Sequence, residues 1–413
     1  MSNLTLDDIR EMDRDDPLAG FRGRFELPED VIYLDGNSLG CLPKATPARL
    51  ETVVREEWGR DLIRSWNTAD WINAPRRVGA KIAKLIGASD DEVVAADSTS
   101  INVFKVLSAC LQLNPERTIL LSERGNFPTD VYMMQGLSVL SGGRIETRLV
   151  DGKDIIGALD ATVAALLLTH VHYKTGRMRD MAGVTAAAHK KGIPVIWDLS
   201  HSAGALPVDL NSAKADFAVG CGYKYLNGGP GAPAFLFAAK RHHEAVFPAL
   251  SGWLGHAAPF DFDDAYRPAP GIDRFQCGTP GILGMAALEC GLDVMLDADM
   301  ADLRAKSSAL GDLFIALMAE RCADFGFTLA CPADPAERGS QVSFHHPDGY
   351  AIMQAIIARG VIGDFRAPDI LRFGFAPLYN SHEDVWRAVH VLCDVMQSGE
   401  WRDDKYAQRA AVT

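Results

Sequence analysis

Between residues 92 and 239 the chain alternates short apolar runs with amphipathic stretches, and this alternation restricts the fold more than any other feature. "EVVAAD" (92–97), "TILLSE" (118–123), "RIETRLV" (144–150), "AALLLTHV" (164–171), "IPVIWD" (193–198), "DFAVGCG" (216–222) and "GAPAFLFAA" (231–239) read as strands. "INVFKVLSACLQL" (101–113) and "MAGVTAAAHKKG" (181–192) read as helices, the second with basic residues in its last turn and Gly192 as its stop. Such alternation predicts an α/β domain around a mainly parallel sheet.

Past residue 280 the pattern changes. "TPGILGMAALECGLDVMLDA" predicts a helix with Thr279 as N-cap and Pro280 at its first position. "DMADLRAKSSALGDLFIALMAERCADFG" reads as a long amphipathic helix, and "SHEDVWRAVHVLCDVMQSG" opens on a capping box at Ser381. Short strands are expected around 339–346 and 370–377, which together give a smaller α+β unit. With 413 residues the chain exceeds one compact core. The expected division is an N-terminal segment over 1–60 packing with the small domain, a large domain over 61–280 and the small domain over 281–413.

Charge narrows the class of function. A net charge of −13 disfavours nucleic acid, whose binding rests on surplus Lys and Arg. The acidic N-terminus has no apolar core that would make it a secretory signal. Apolar runs such as Val163–Leu168 are strand-sized and far short of a membrane span. Eight cysteines lie scattered without a CxxC pair, which reads as reduced, mostly buried thiols and neither a disulfide framework nor a metal site. A cytoplasmic enzyme is the expectation.

Open α/β sheets bind ligands beyond the carboxyl ends of their strands. Three groups of residues stand at such ends. Ser98, Thr99 and Ser100 lie where a strand gives way to a helix, suited either to plain capping or to holding an anion with hydroxyls and free N–H groups. Asp198 ends a strand predicted to be buried on both faces, so it needs a partner, either a structural cation or a protonated heterocyclic nitrogen. His201 follows three residues later. Lys224, after "DFAVGCG", is either a surface cap or a desolvated amine able to form a Schiff base with an aldehyde. Tyr223 beside it could donate to a phosphate, and Asn227 to Gly231 permit a tight reversal. No GxGxxG or Walker A lysine accompanies these residues. An anion cradle, a carboxylate and a strand-end lysine together match the needs of pyridoxal 5′-phosphate.

The chain also resembles the kynureninase family, pyridoxal-phosphate enzymes of fold type I akin to the class V aminotransferases. The resemblance runs through "YLDGNSLG" (33–40), "RSWNTADW" (64–71), "STSINVFKVL" (98–107), "RGNFPTDVYM" (124–133), "WDLSHSAGALPVDL" (197–210), "GYKYLNGGPGAPAFLF" (222–237), "GWLGH" (252–256) and "LRFGFAPLYNS" (371–381). It implies hydrolysis of L-kynurenine to anthranilate and L-alanine, in tryptophan catabolism and NAD biosynthesis, by a homodimer with active sites near the subunit interface. Under it Lys224 carries the cofactor and serves the proton transfers. Asp198 pairs with the pyridinium nitrogen, with His201 close to the ring, Phe127 stacked on it and Asp130 as a second acid. Ser98, Thr99, Tyr223 and Trp253 hold the phosphate, and Thr279 lies at the cofactor. Arg372 clamps the substrate carboxylate. Ser38 and Trp66 fall on the substrate side, and Tyr223 and Ser38 are candidates to act at the γ-carbonyl.

Gly278 and Thr279 replace the serine–asparagine pair of the animal enzymes. With Trp66 they imply the bacterial type, which prefers kynurenine over its 3-hydroxy derivative. Outside the motifs, Phe127 and Trp253 would read as core aromatics and Arg372 as a surface charge. A cysteine desulfurase-like lyase of the same fold would need a mobile cysteine, for which only Cys331 is near a loop. A non-catalytic pyridoxal-phosphate-binding protein is the other alternative.

Overall fold

The computed structural model describes residues 4–409. Seven strands form the main sheet: β1 (Val93–Ala95), β2 (Ile119–Glu123), β3 (Glu146–Val150), β4 (Val163–Thr169), β5 (Val195–Asp198), β6 (Phe217–Gly220) and β7 (Phe235–Ala238). Their spatial order is β1-β7-β6-β5-β4-β2-β3. Strands β2 to β6 pair in parallel, whereas β7 runs antiparallel to both of its neighbours. Every residue of β4 is buried, as in strands covered on both faces.

The helices that frame the cores are α1 (Leu6–Arg14), α2 (Ala74–Leu85), α3 (Thr99–Leu113), α4 (Pro128–Leu140), α5 (Met181–His189), α6 (Ile282–Leu296), α7 (Met300–Arg321) and α8 (His382–Ser398). On one face of the sheet Val78 and Ile82 of α2 and Leu288 and Leu292 of α6 pack with Leu166, Leu168 and Trp197. On the other, Val103 and Val106 of α3 and Met134 of α4 pack with Leu120, Leu167 and Ile196.

A second core gathers Leu310 and Phe314 of α7, Val385 and Val389 of α8, and the apolar residues of a four-stranded antiparallel sheet. That sheet holds β8 (Thr328–Leu329), β9 (Gln341–His345), β10 (Asp364–Arg366) and β11 (Ile370–Gly374) in the order β8-β9-β11-β10. Ile9 of α1, Ile32 and Leu34 join this core, so the chain's start packs with its end.

Three local expectations are corrected. The helix expected at Thr279 begins at Ile282, because Gly281 holds an extended conformation and acts as the N-cap. That helix also packs on the main sheet, since Met285, Leu288, Leu292 and Met295 face its core. Cys322 and Cys393 form a disulfide, with Cα atoms 5.9 Å apart, within bridging reach. The residues lie 71 apart in sequence, so only the packing of α7 on α8 brings them together. The capping box at Ser381 is present as expected, with Ser381 Oγ accepting from Asp384 N.

Candidate active site

Lys224 stands just beyond β6, in a turn closed by Asn227 N donating to Lys224 O at 2.9 Å and Gly228 N donating to Gly222 O at 2.9 Å. Asn227, Gly229 and Gly231 take φ of 55°, 81° and 74°, so the reversal expected from "NGGPG" is built from left-handed residues. "LDGNSLG" seats against this turn. Gly40 N donates to Tyr223 O at 2.8 Å, and a Cβ on Gly40 would lie 2.3 Å from Lys224 O. Only glycine permits that approach.

The lysine faces inward. Its Nζ lies 2.9 Å from His201 Nε2, and His201 Nδ1 lies 3.1 Å from Gln341 Oε1. Since the Gln341 oxygen can only accept, Nδ1 carries the imidazole proton and Nε2 accepts from Lys224. Gln341 Nε2 then donates to Tyr173 O at 3.0 Å. Burial holds the Lys224 ammonium below the usual lysine range and the His201 imidazole well below its own.

Two carboxyl groups lie behind this pair. Asp198 ends β5, and its Oδ1 accepts from Ser200 N at 2.8 Å and Ser200 Oγ at 2.6 Å. Asp130, in the first turn of α4, is fully buried; its Oδ2 accepts from Asn126 Nδ2 at 3.2 Å. Burial pushes both acids up, Asp130 further through the charge of Asp198. Among the described residues Asp130 Oδ1 has no hydrogen-bond partner. Two desolvated acids that share the single nearby Lys224 amine form a site that a further positive charge would stabilise.

One cavity is lined by Ser98, Thr99, Phe127, Asp198, His201, Tyr223 and Lys224, so the structure gathers these expected residues. Asp130 lies behind it. Ser98 caps α3, its Oγ accepting from Ile101 N at 3.5 Å. The Phe127 ring centre is 5.8 Å from Lys224 Nζ, and the ring meets Tyr173 edge-on at 5.2 Å.

Arg372 lies beside this cavity, 1% exposed. It donates from Nε to Asp364 Oδ1 at 2.8 Å, from Nη1 to Tyr173 O at 2.6 Å and from Nη2 to Ser38 Oγ at 2.8 Å, and it also pairs through Nη2 with Asp364 Oδ2. Its side-on edge is thus already occupied by a carboxylate of its own chain.

Other expected residues lie apart within the single chain. Trp66, Trp253 and Thr279 line a separate apolar cavity with Ile63, Ile72 and Phe260. Gly278 and Thr279 border a further crevice with Asp97 and Gly231. Trp253 is 45% exposed and donates to Pro259 O.

Sequence reasoning missed Gln341, Tyr173, Asp364 and Arg366. The available signals were a lone glutamine in the strand-like "SQVSF" and the acid and arginine two apart in "GDFRAP", which place both on one strand face.

Comparisons with known proteins identify the family. Residues 303–392 match the kynureninase C-terminal domain. A kynureninase of Burkholderia mallei (strain SAVP1) is 54% identical over 99% of this chain and 100% of its own length. One from Pseudomonas fluorescens is 50% identical over the same shares. The chain belongs to the kynureninase family. Among solved structures, the cysteine desulfurase CsdA of Escherichia coli matches with a TM-score of 0.76 at 21% identity, covering 92% of this chain and 98% of that one. That likeness shows the fold, which is fold type I.

For a kynureninase-family chain the fit of pyridoxal phosphate can be tested on the residues present. Asp130 Oδ1 is orphaned and buried, both hydrogen bonds to Asp198 fall on Oδ1, and the α3 N-terminus offers donors to an anion. The residues fit the group.

Proposed function

We propose that this chain hydrolyses L-kynurenine to anthranilate and L-alanine with pyridoxal phosphate, as a cytoplasmic homodimer. The observation that carries the reading is the buried Lys224–His201 contact in one cavity with Asp198, in a chain whose full-length relatives are kynureninases.

Bound pyridoxal phosphate supplies an electron sink for negative charge developing at the substrate α-carbon. Lys224 would hold the cofactor and move the proton at the substrate α-carbon; burial lowers the proton affinity of its amine, which favours the base form. His201 accepts from the amine and, fixed by Gln341, limits where that amine can point. Asp198 would hold a proton at the ring nitrogen, with Asp130 behind it. Ser98, Thr99 and Tyr223 bind the phosphate. Burial keeps the Tyr223 phenol protonated, so it remains a donor. Phe127, which lines the cavity, would offer an aromatic surface suited to a flat heterocycle. Arg372 and Ser38 serve the α-carboxylate.

The homodimer reading rests on two features. Trp58, Leu62 and Ile63 are 58%, 60% and 76% exposed, an unusual cost for a monomer in water. Trp66, Trp253, Gly278 and Thr279 lie outside their own chain's Lys224 cavity, so a partner would bring them to it. The Gly278–Thr279 pair supports a preference for kynurenine over 3-hydroxykynurenine. Among the described residues no helix is long and apolar enough to cross a membrane. The acidic charge disfavours nucleic acid as a partner. Packing supports a division in which the small domain starts within α7, between Leu303 and Leu310, with the N-terminal segment joining it through Ile9, Ile32 and Leu34.

A desulfurase reading is weaker because Cys331 is buried and its thiol is pushed up by that burial, the opposite of an exposed nucleophile. The test is direct. The purified protein should be yellow, borohydride should bleach it by fixing the cofactor on Lys224, and Lys224→Ala should abolish kynurenine turnover. Normal turnover by Lys224→Ala would refute the assignment.

A further inference from the structure

Given kynurenine as the proposed substrate, on which this inference rests, the carboxylate site holds more than one cation. The β10–β11 register sets Asp364 directly opposite Arg372. Arg366, two residues beyond Asp364 on the same strand face, donates from Nη2 to Ser38 Oγ at 3.3 Å and lies 2.7 Å from Asp364 Oδ2. Ser38 Oγ donates to Asp364 Oδ2 at 2.7 Å. One carboxylate therefore holds two guanidinium groups and a serine hydroxyl.

The two arginines differ in what they have left to offer. A guanidinium has five N–H donors, and a carboxylate is best gripped by two on one edge. Arg372 spends Nε and Nη2 on Asp364 and Ser38, and one Nη1 hydrogen on Tyr173 O, which leaves a single free N–H on a buried side chain. Arg366 has a side chain 31% exposed, against 1% for Arg372, and its Nε makes no hydrogen bond among the described residues. Both positive charges are felt in the cavity, since each lowers the proton affinity of Lys224 and His201. Two arginines face Asp364 and Asp35, and while Asp35 is protonated one positive charge is unmatched, which is the charge a substrate carboxylate would neutralise.

We propose that Arg366 is a second substrate-binding guanidinium, sharing the α-carboxylate with the free Nη1 hydrogen of Arg372, and that Asp364 is the positioning residue that holds both in place. Arg372 is then the fixed floor of the site, and Arg366 is its accessible donor.

The test uses the cofactor-loaded protein and two ligands followed by the cofactor's absorbance: L-kynurenine and its decarboxylated amine. Binding is read separately from hydrolysis. Arg366→Met should weaken L-kynurenine binding about ten- to hundredfold, the worth of one charge-assisted hydrogen bond, and leave the decarboxylated amine within twofold. Arg366→Lys should recover part of the loss. Asp364→Asn should lower the preference for the carboxylate-bearing ligand in the same way, with an unchanged cofactor spectrum. Unchanged discrimination in Arg366→Met overturns the proposal, as does equal weakening of both ligands. If the wild type binds L-kynurenine but releases no anthranilate, the hydrolytic reading fails while this binding comparison still decides the role of Arg366.

Discussion

Asp35, in the N-terminal "LDGNSLG", sits against Asp364 and Arg372, and burial together with the charge of Asp364 pushes its pKa up to about 8. Asp364, Arg366, Arg372, Tyr33 and Tyr225 are the titratable and charged groups around it. Below that pKa Asp35 is neutral and the two arginines outweigh Asp364 by one charge. Above it the site becomes neutral, so KM for L-kynurenine should rise between pH 7 and 9 in the wild type. Asp35→Asn should remove the part of the rise that comes from the protein; an identical profile in both proteins would exclude Asp35 as its source. The stability sign is also fixed. A carboxyl with a raised folded-state pKa makes the folded state bind the extra proton, so its contribution falls as pH rises from about 4 to 8. At this scale the gathering of Lys224, Asp198 and His201 in one cavity was legible in the sequence, because each lies at or just beyond a strand end. It was a poor guide to Asp364 and Arg366, whose meaning depends on cross-strand register, which residue spacing does not reveal.

At the scale of elements, the end of the main sheet opposite the cavity is tied by Asp216. This buried carboxylate accepts from Val195 N at 2.9 Å and Arg241 Nη2 at 2.8 Å, and lies 2.7 Å from both His189 Nε2 and His242 Nε2. It thereby joins the end of α5 and the start of β5 to the segment after β7. These partners hold its pKa well below the usual carboxylate range. A depressed folded-state pKa gives stability that is present above the unfolded value and lost as pH falls below it. Asp216→Asn should cost about 3 kcal/mol in denaturant unfolding, the scale of breaking a buried ion pair, with kcat unchanged. A loss below about 0.5 kcal/mol would show that the cluster ties nothing together. Gly40→Ala should act differently. Its Cβ would press on Lys224 O, so turnover should fall well before the melting temperature does; equal losses in both would argue against a local effect. Strands and most helices were legible because apolar period and caps reinforce each other, as at Ser381. Thr279 failed as a cap because Pro280 and Gly281 delay the first helical turn, and the Cys322–Cys393 bridge was hidden because it depends on how two helices pack.

Across the whole molecule, the site residues divide into two groups that one chain does not bring together. In the proposed dimer the exposed Trp58, Leu62 and Ile63 would form the surface between the two copies. Ile63→Glu should shift sedimentation from dimer to monomer and weaken cofactor retention, whereas a wild type that sediments as a monomer at micromolar concentration would remove the pairing. The order of motifs in the sequence identified the family, but which cavity each residue joins is a property of tertiary and quaternary geometry. The central claim remains the reaction itself. On the yellow wild-type protein, L-kynurenine should yield anthranilate and alanine in equal amounts, faster than 3-hydroxykynurenine yields its hydroxylated product. A protein that retains pyridoxal phosphate yet forms no anthranilate, while releasing persulfide sulfur from L-cysteine, would contradict it.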